Sequence, residues 1–363
     1  MPTSLQSLGL TTDVVHDLAA GPAGPAGPAG PAAGLEIGRV GRVDKGLCTV
    51  LTEQGPVRAS WSANVLAEMA RNPQAVPCTG DWVALRRWPD DPVTVEAVAP
   101  RRTAIVRAEV SGTSAGQVLA ANVDVVAIVV GLHPEPNLGR IERFLALAWD
   151  SGARPVVVLT KADLVNDADD LAADVAAAAP GADVIVCSVV TGEGLDEIRA
   201  MVAGDRTMAL LGVSGAGKSS LVNALTGAEV LAVRAIRDDG KGRHTSVRRE
   251  LIVLPGGGVV IDTPGLRGVG VQQDGEGVAA VFPDIEELVA RCRFNDCGHE
   301  TEPGCAVRAA LEDGTLPVRR YESWRKLQRE AVWMARRADL RLRAEAKREW
   351  KQRTKERRDQ TSG

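Results

Sequence analysis

The sequence predicts a multidomain α/β protein, and three observations carry that expectation. Short, alternating, β-rich runs between Leu35 and Pro100 are cut by Gly, Pro and Asp turns. Buried β-branched strands alternating with helical stretches follow from about residue 120. Past residue 281 the strands give way to a Cys and His cluster ahead of a long helix. The first pattern reads as a small antiparallel barrel, the second as an open, doubly wound, mostly parallel sheet, and the third as a helical, metal-binding end.

In chain order, residues 1–34 include GPAGPAGPAGPA at 21–32, which has the glycine period of collagen but too few copies to hold a triple helix. We expect 1–34 to be a disordered Gly/Pro/Ala-rich extension. Residues 35–100 supply RVDKGLCTVLT, PVRASWSA, GDWVALRRW and VTVEAVA, too short and too punctuated for a parallel sheet, and form the expected barrel. Residues 101–280 contain VDVVAIVVGL, RPVVVLTKAD, ADVIVCSVV, TMALLGV and GVVIDTPG, separated by helical segments such as GRIERFLALAWDSG. Residues 281–345 form the metal-binding module, with a helix from about Arg319 into the 340s, and 346–363 a basic flexible tail.

At 363 residues and 45% hydrophobic content the chain can fill two or three cores. No stretch approaches the roughly 18 uninterrupted apolar residues of a membrane span, and the N-terminus lacks a signal-peptide layout, so no membrane role and a cytoplasmic monomer are expected. The net charge of −4 hides an asymmetry: residues 317–363 hold 16 Lys or Arg against 7 Asp or Glu, interspersed with Trp324, Trp333 and Trp350. That end can meet a phosphate backbone, or can simply be a solvated amphipathic helix.

The chemistry starts at LLGVSGAGKS, 210–219, with the spacing G-x-x-x-x-G-K-S. Gly212, Gly215 and Gly217 free backbone N–H groups to point inward, and the loop Gly212, Val213, Ser214, Gly215, Ala216, Gly217 wraps phosphate ahead of the helix that opens at Lys218, Ser219 and Ser220. Lys218 reaches the β- and γ-phosphates and Ser219 ligates magnesium. A chance glycine turn is the bland alternative, but the apolar strand before and the helix after are the context the motif requires. DTPG at 262–265 closes another strand, so that Asp262 can hold magnesium and the Gly265 N–H can meet a γ-phosphate. Between them lies DDGKGRHTSV, a polar switch in which Thr245 can complete the magnesium shell when the γ-phosphate is present.

TKAD, comprising Thr160, Lys161, Ala162 and Asp163, selects the base: the Asp163 carboxylate accepts from the N1–H and exocyclic amine of guanine, whereas adenine offers no matching donors. Lys161 lies along the ring, Thr160 stands where Asn is usual, and a second contact to the guanine oxygen comes from near Ser188. These base-reading segments precede the phosphate segments, the reverse of an ordinary GTPase, so the order implies circular permutation. Leu266 follows DTPG where a water-orienting glutamine is common, which leaves His244 as the candidate to position water and predicts slow intrinsic hydrolysis. Equally, His244 can be a loop-stabilising or RNA-contacting residue.

Cys292, Cys297, His299 and Cys305, spaced C-x4-C-x-H-x5-C, make a closed tetrahedral zinc set with no vacancy for water, hence structural. Cys48, Cys78 and Cys187 look ordinary. Trp61, Trp82 and Trp88 are available for stacking, although core packing is favoured for Trp82.

TKAD, GVSGAGKSS, GRHTS, DTPG and CRFNDCGHETEPGCAV in that order, with GDWV at 80–83 and PRRTAIVR at 100–107, resemble the ribosome-small-subunit-dependent GTPases of the RsgA (YjeQ) family over about residues 35–345. The resemblance implies an OB-fold barrel, a circularly permuted P-loop GTPase domain and a C-terminal α-helical zinc domain. It also implies GTP/GDP, Mg2+ and structural Zn2+ as cofactors, the small ribosomal subunit and its rRNA as partners, and subunit-stimulated GTP hydrolysis in late subunit maturation. The family's run of switch threonines is here Thr245, Ser246 and Val247, so the magnesium hydroxyl is Thr245 or Ser246. Two other classes stay open: an RNA-binding module gated by GTP in which hydrolysis is incidental, and a P-loop ATPase, which fails if Asp163 reads the base.

Overall fold

A computed structural model describes residues 4–20, 35–90, 92–107, 116–231, 249–263 and 275–338. The first of these segments corrects an expectation. Residues 4–20, placed in a structureless extension, form a 3-10 turn at Gln6–Leu8 and a helix α1 at Thr12–Ala20. Leu5, Leu8, Val14 and Leu18 are each at most 5% exposed, so the segment has a full apolar stripe to bury and therefore orders. The GPA repeat at 21–32 lies outside the described residues.

The barrel follows as β1 (Glu36–Asp44), β2 (Leu47–Thr52), β3 (Gly55–Trp61), helix α2 (Ala63–Arg71), β4 (Trp82–Arg87) and β5 (Val93–Val98). Strand β1 pairs with both β2 and β4, β2 with β3, β3 with β5 in parallel, and β5 with β4, which closes five strands with α2 inserted after the third, the OB arrangement. Val40, Val50, Ala59, Val83, Leu85 and Val95 fill its interior, as alternation predicted.

A hairpin of β6 (Ala104–Arg107) and β7 (Gln117–Ala121) leads into the second sheet. Its elements are β8 (Val125–Gly131), α3 (Leu138–Asp150), β9 (Arg154–Thr160), α4 (Ala168–Ala178), β10 (Asp183–Val186), α5 (Leu195–Val202), β11 (Gly204–Leu211), α6 (Lys218–Thr226), β12 (Glu250–Val253) and β13 (Gly257–Asp262). Strand order is β10-β9-β8-β11-β13-β12, parallel except for β12. Side chains alternate between two cores: Val126, Ile128, Val157 and Leu159 face one, Val125, Ala127, Val156 and Val158 the other, so both faces are covered. The direction of winding reverses between β8 and β11, the crevice where doubly wound sheets bind ligands.

Two sets of contacts cross the expected divisions at residues 100 and 280. Strand β12 pairs β13 on one side and, at Arg42↔Glu250, barrel strand β1 on the other, so a single eleven-stranded sheet runs through both modules. The GDWV and PRRT motifs belong to this joint: the fully buried Asp81 carboxylate takes the Arg101 guanidinium bidentately at 2.7 and 2.8 Å. Helix α7 (Glu276–Val281) packs on α3, and α8 (Pro283–Ala290), α9 (Ala306–Glu312) and α10 (Val318–Ala338) extend the same apolar core through Val281, Phe282, Ile285, Val307 and Leu327. There Glu142 of α3, fully buried, meets Arg319 and Arg320 at 3.0 and 3.2 Å, and Arg320 also grips Asp284 and lies over the Phe282 ring. The basic tail beyond residue 338, including Trp350, lies outside the described residues.

Candidate functional site

Strand β11 delivers the chain into the glycine loop at the switch point. Gly212, Gly215 and Gly217 have φ of 153, 81 and 94°, and a Cβ at Gly212 would strike the Val129 carbonyl of β8, so glycine is required there. Ser214 and Gly215 are exposed, while Val213, Ser219 and Ser220 are half-buried at the mouth. Lys218 is buried, and its Nζ donates to the Gly212 and Val213 carbonyls at 2.8 Å each. Burial pulls its pKa down, against the attraction of Asp262.

Asp262, at the end of the neighbouring β13, is the complementary group. Burial raises its pKa, and the Lys218 charge partly offsets this. Its Oδ1 is buried with no hydrogen-bond partner, an orphaned oxygen that a hydrated divalent cation would satisfy, so the residues fit magnesium. Thr263, which sequence reasoning missed, donates its hydroxyl to the Leu210 carbonyl and ties this strand end to β11. Gly265, Leu266, His244, Thr245 and Ser246 lie outside the described residues.

The residues expected to read the base lie on adjacent loops past β9 and β10. Asp163 sits in an exposed 3-10 turn just past β9, and Ser188 donates its hydroxyl to Asp163 Oδ1 at 2.6 Å. The same Ser188 oxygen accepts the Val190 and Thr191 N–H groups at 3.2 Å, so the loop after β10 is built around it. The Ser188 N–H itself donates to the Glu193 carbonyl at 3.1 Å, while the next residue, Val189, is exposed. Lys161 takes φ 64° and lays its stem beside Gly131, where a Cβ would stand 3.5 Å from it; Ala162 is buried beneath.

Thr160, which stands where Asn is usual, reaches the glycine loop. It is 3% exposed, and its hydroxyl donates to the Ala216 carbonyl at 2.6 Å, with the Val130 carbonyl at 3.3 Å. The short threonine side chain thus ends at the glycine loop it packs against, 3.1 Å from where a Cβ on Gly217 would be.

The Cys and His cluster also forms. Cys292 Sγ lies 3.9 Å from Cys305 Sγ and 3.6 Å from His299 Nδ1, His299 Nδ1 lies 3.4 Å from Cys305 Sγ, and Cys297 completes a set spanning at most 4.8 Å. Metal–sulfur bonds of about 2.3 Å in a tetrahedron put ligand atoms about 3.8 Å apart, so the four fit one tetrahedral ion. The Glu302 carboxylate, its pKa near 2, holds the intervening loop by accepting from Gly298, Glu300 and Thr301 N–H groups at 2.9 Å.

A phosphate loop, a guanine-type carboxylate earlier in the chain, and a parallel sheet with its switch point between them define a circularly permuted P-loop GTPase. The comparisons agree. The RsgA GTPase family profile matches residues 98–272. A Streptomyces avermitilis protein named small ribosomal subunit biogenesis GTPase RsgA is 55% identical over 88% of this chain and 85% of its own length, and the namesake of Streptomyces coelicolor is 55% identical over 88% and 87%. Among solved structures, YjeQ from Thermotoga maritima matches with TM-score 0.59 and 26% identity over 82% of this chain and 99% of its own. YloQ, described as a circularly permuted GTPase, matches at 0.54 and 25% over 82% and 95%. The chain belongs to the RsgA GTPase family.

Proposed function

We propose that this chain binds the small ribosomal subunit through rRNA and hydrolyses GTP to GDP and phosphate during assembly of that subunit. The names of its relatives support the setting, and one observation supports the nucleotide: the Ser188–Asp163 hydrogen bond fixes a carboxylate three residues past Thr160, which touches the glycine loop, with its second oxygen left for the guanine N1–H and amine. Val189, rather than Ser188, offers the backbone N–H for the guanine oxygen.

Lys218 trades its two loop carbonyls for β- and γ-phosphate oxygens, an exchange that keeps its charge compensated throughout. Ser219, Asp262 and Thr245 would hold magnesium, which would supply positive charge against that building on the transferred phosphoryl group. His244 positions the attacking water, since Leu266 has no group to do so. The Cys292, Cys297, His299 and Cys305 set holds zinc in a purely structural role.

For rRNA, the barrel offers Arg42, Lys45 and Arg58 around the β1–β2 turn and, on the β4–β5 hairpin, Arg86 over the ring of Trp88. Trp88 is 46% exposed and suited to stacking on a base, whereas Trp82 is buried in the core. Arg325, Lys326 and Arg329 line, with Leu311, Val318, Tyr321 and Glu322, a mixed groove along α10. No helix among the described residues is long and apolar enough to cross a membrane. Turnover of GTP by the pure protein, with and without purified small subunits, tests the reading: strong stimulation is expected, and equal rates would leave hydrolysis incidental to RNA binding.

A further inference from the structure

The site explains neither the ordered N-terminal segment nor the buried cation beneath it. Arg39 of β1 is 1% exposed, and each arm of its guanidinium donates to a main-chain carbonyl of a different part of the molecule. Nε reaches Gly80 of the barrel at 3.2 Å, one Nη reaches Asn122 at the entrance to the nucleotide sheet at 2.9 Å, and the other reaches Leu8 of the N-terminal segment. No carboxylate among the described residues hydrogen-bonds it. It lies 5.3 Å over the Trp82 ring, and burial lowers its pKa to about 10.

A buried cation without a paired anion is costly, and a well-packed apolar side chain would serve stability as well. What Arg39 supplies is geometry: three carbonyls from three segments must converge for it to be satisfied. Asn122 reinforces the joint through its amide, which donates to the same Gly80 carbonyl at 3.1 Å. The N-terminal segment clasps the joint from outside. Its 3-10 turn packs on β11 and β13, α1 packs on β4, and Gly9, at φ 87°, runs so close to the start of β11 that a Cβ there would stand 2.7 Å from the Asp205 carbonyl. This contact is at the opposite end of β11 from the phosphate loop.

We propose that residues 5–18 are a strap that locks the barrel against the nucleotide module through Arg39, and that this fixed angle is what subunit-stimulated hydrolysis requires while basal nucleotide binding does not. The second clause rests on the function proposed above. Two surfaces that must engage one large partner together gain from being held at a set angle, because only then is the second contact effectively intramolecular.

The test compares the full chain with Gly9→Val, and with a deletion of residues 4–20 supplemented or not by a synthetic 4–20 peptide. Amide exchange is followed at 80–81 and 122–123 against 212–218, alongside GTP affinity and turnover with and without small subunits. Expected are a loss of protection at the joint and a fall of about tenfold in stimulated turnover, within the usual range of coupling between sites. GTP affinity, basal turnover and phosphate-loop protection should stay unchanged, and the peptide should restore the deletion. Unchanged joint protection in both variants, or unchanged stimulated turnover with a loosened joint, overturns the strap; so does a parallel loss of GTP affinity, which would make the segment a general stabiliser. If the intact chain is not stimulated by subunits, the proposed function fails instead, and joint protection still decides whether the lock exists.

Discussion

Ser188 and Asp163, 25 positions apart on two loops of the same sheet edge, share a 2.6 Å hydrogen bond that holds the carboxylate proposed to read the base in one orientation. Ser188→Ala removes the one side-chain donor to that carboxylate among the described residues. A hydrogen bond to a charged group contributes about 1.5–3 kcal/mol, so GTP affinity should fall by about tenfold or more. Preference over ATP should fall with it, since the loss lies at the base. Titration with both nucleotides checks this, and equal weakening of GTP and ATP would count against the assignment.

Thr160 predicts the opposite signature. Thr160→Val keeps the shape but removes the donor to Ala216 and leaves a loop carbonyl unsatisfied, at a cost of about 1–3 kcal/mol. Because the loop serves the phosphates, affinity for GTP and for ATP should drop together, and Thr160→Ser should restore most of it. A Val variant that loses only base selectivity would return Thr160 to the base.

Asp262 links the site to pH. Its pKa is raised in the folded protein by burial, so in the nucleotide-free chain its ionisation opposes folding: this contribution is absent at pH below the ordinary aspartate range and appears as pH rises through it. Asp262→Asn should therefore raise the Tm of the nucleotide-free protein near neutral pH while weakening magnesium-dependent GTP binding by about 10- to 100-fold. Calorimetry and nucleotide titration with and without magnesium measure both, and a lowered Tm would refute the orphaned-oxygen interpretation.

The C-terminal module should depend on two anchors. Cys297→Ser is expected to reduce bound zinc from one equivalent per chain to near zero by elemental analysis, with increased protease cleavage between α8 and α9. Glu142→Ala should cost about 1–3 kcal/mol by removing the buried carboxylate shared by Arg319 and Arg320, with Arg320 keeping Asp284, and the Tm should report it. Asp284 behaves differently with pH. Burial opposes its charge, but the Arg320 hydrogen bonds and charge outweigh this and lower its pKa, so its contribution persists above the ordinary aspartate range and is lost only in stronger acid.

The sequence shows the motifs because their chemistry demands particular residue types at fixed spacings: glycine where a Cβ would hit Val129, a carboxylate for guanine, four soft ligands for one ion. Alternation shows the barrel, and β-branched runs show the parallel strands, because burial on one face or two writes itself locally. What it hides is non-local. Nothing near Thr160 says that its hydroxyl ends on Ala216, and nothing near Glu250 says that its strand borders Arg42. The N-terminal segment is different: Leu5 and Leu8, and Val14 and Leu18, stand at helical spacings, so its burial is locally written, and only the low-complexity repeat at 21–32 gives 1–34 the composition of a structureless extension.

The β1–β12 pairing has an evolutionary corollary. A barrel sewn edge to edge onto its neighbour is not an interchangeable cassette: transplanting it elsewhere would strip β12 of its outer partner and present a raw strand to solvent, an invitation to self-association. Lineages carrying this arrangement are then constrained to vary the barrel's outward loops while leaving its seam intact.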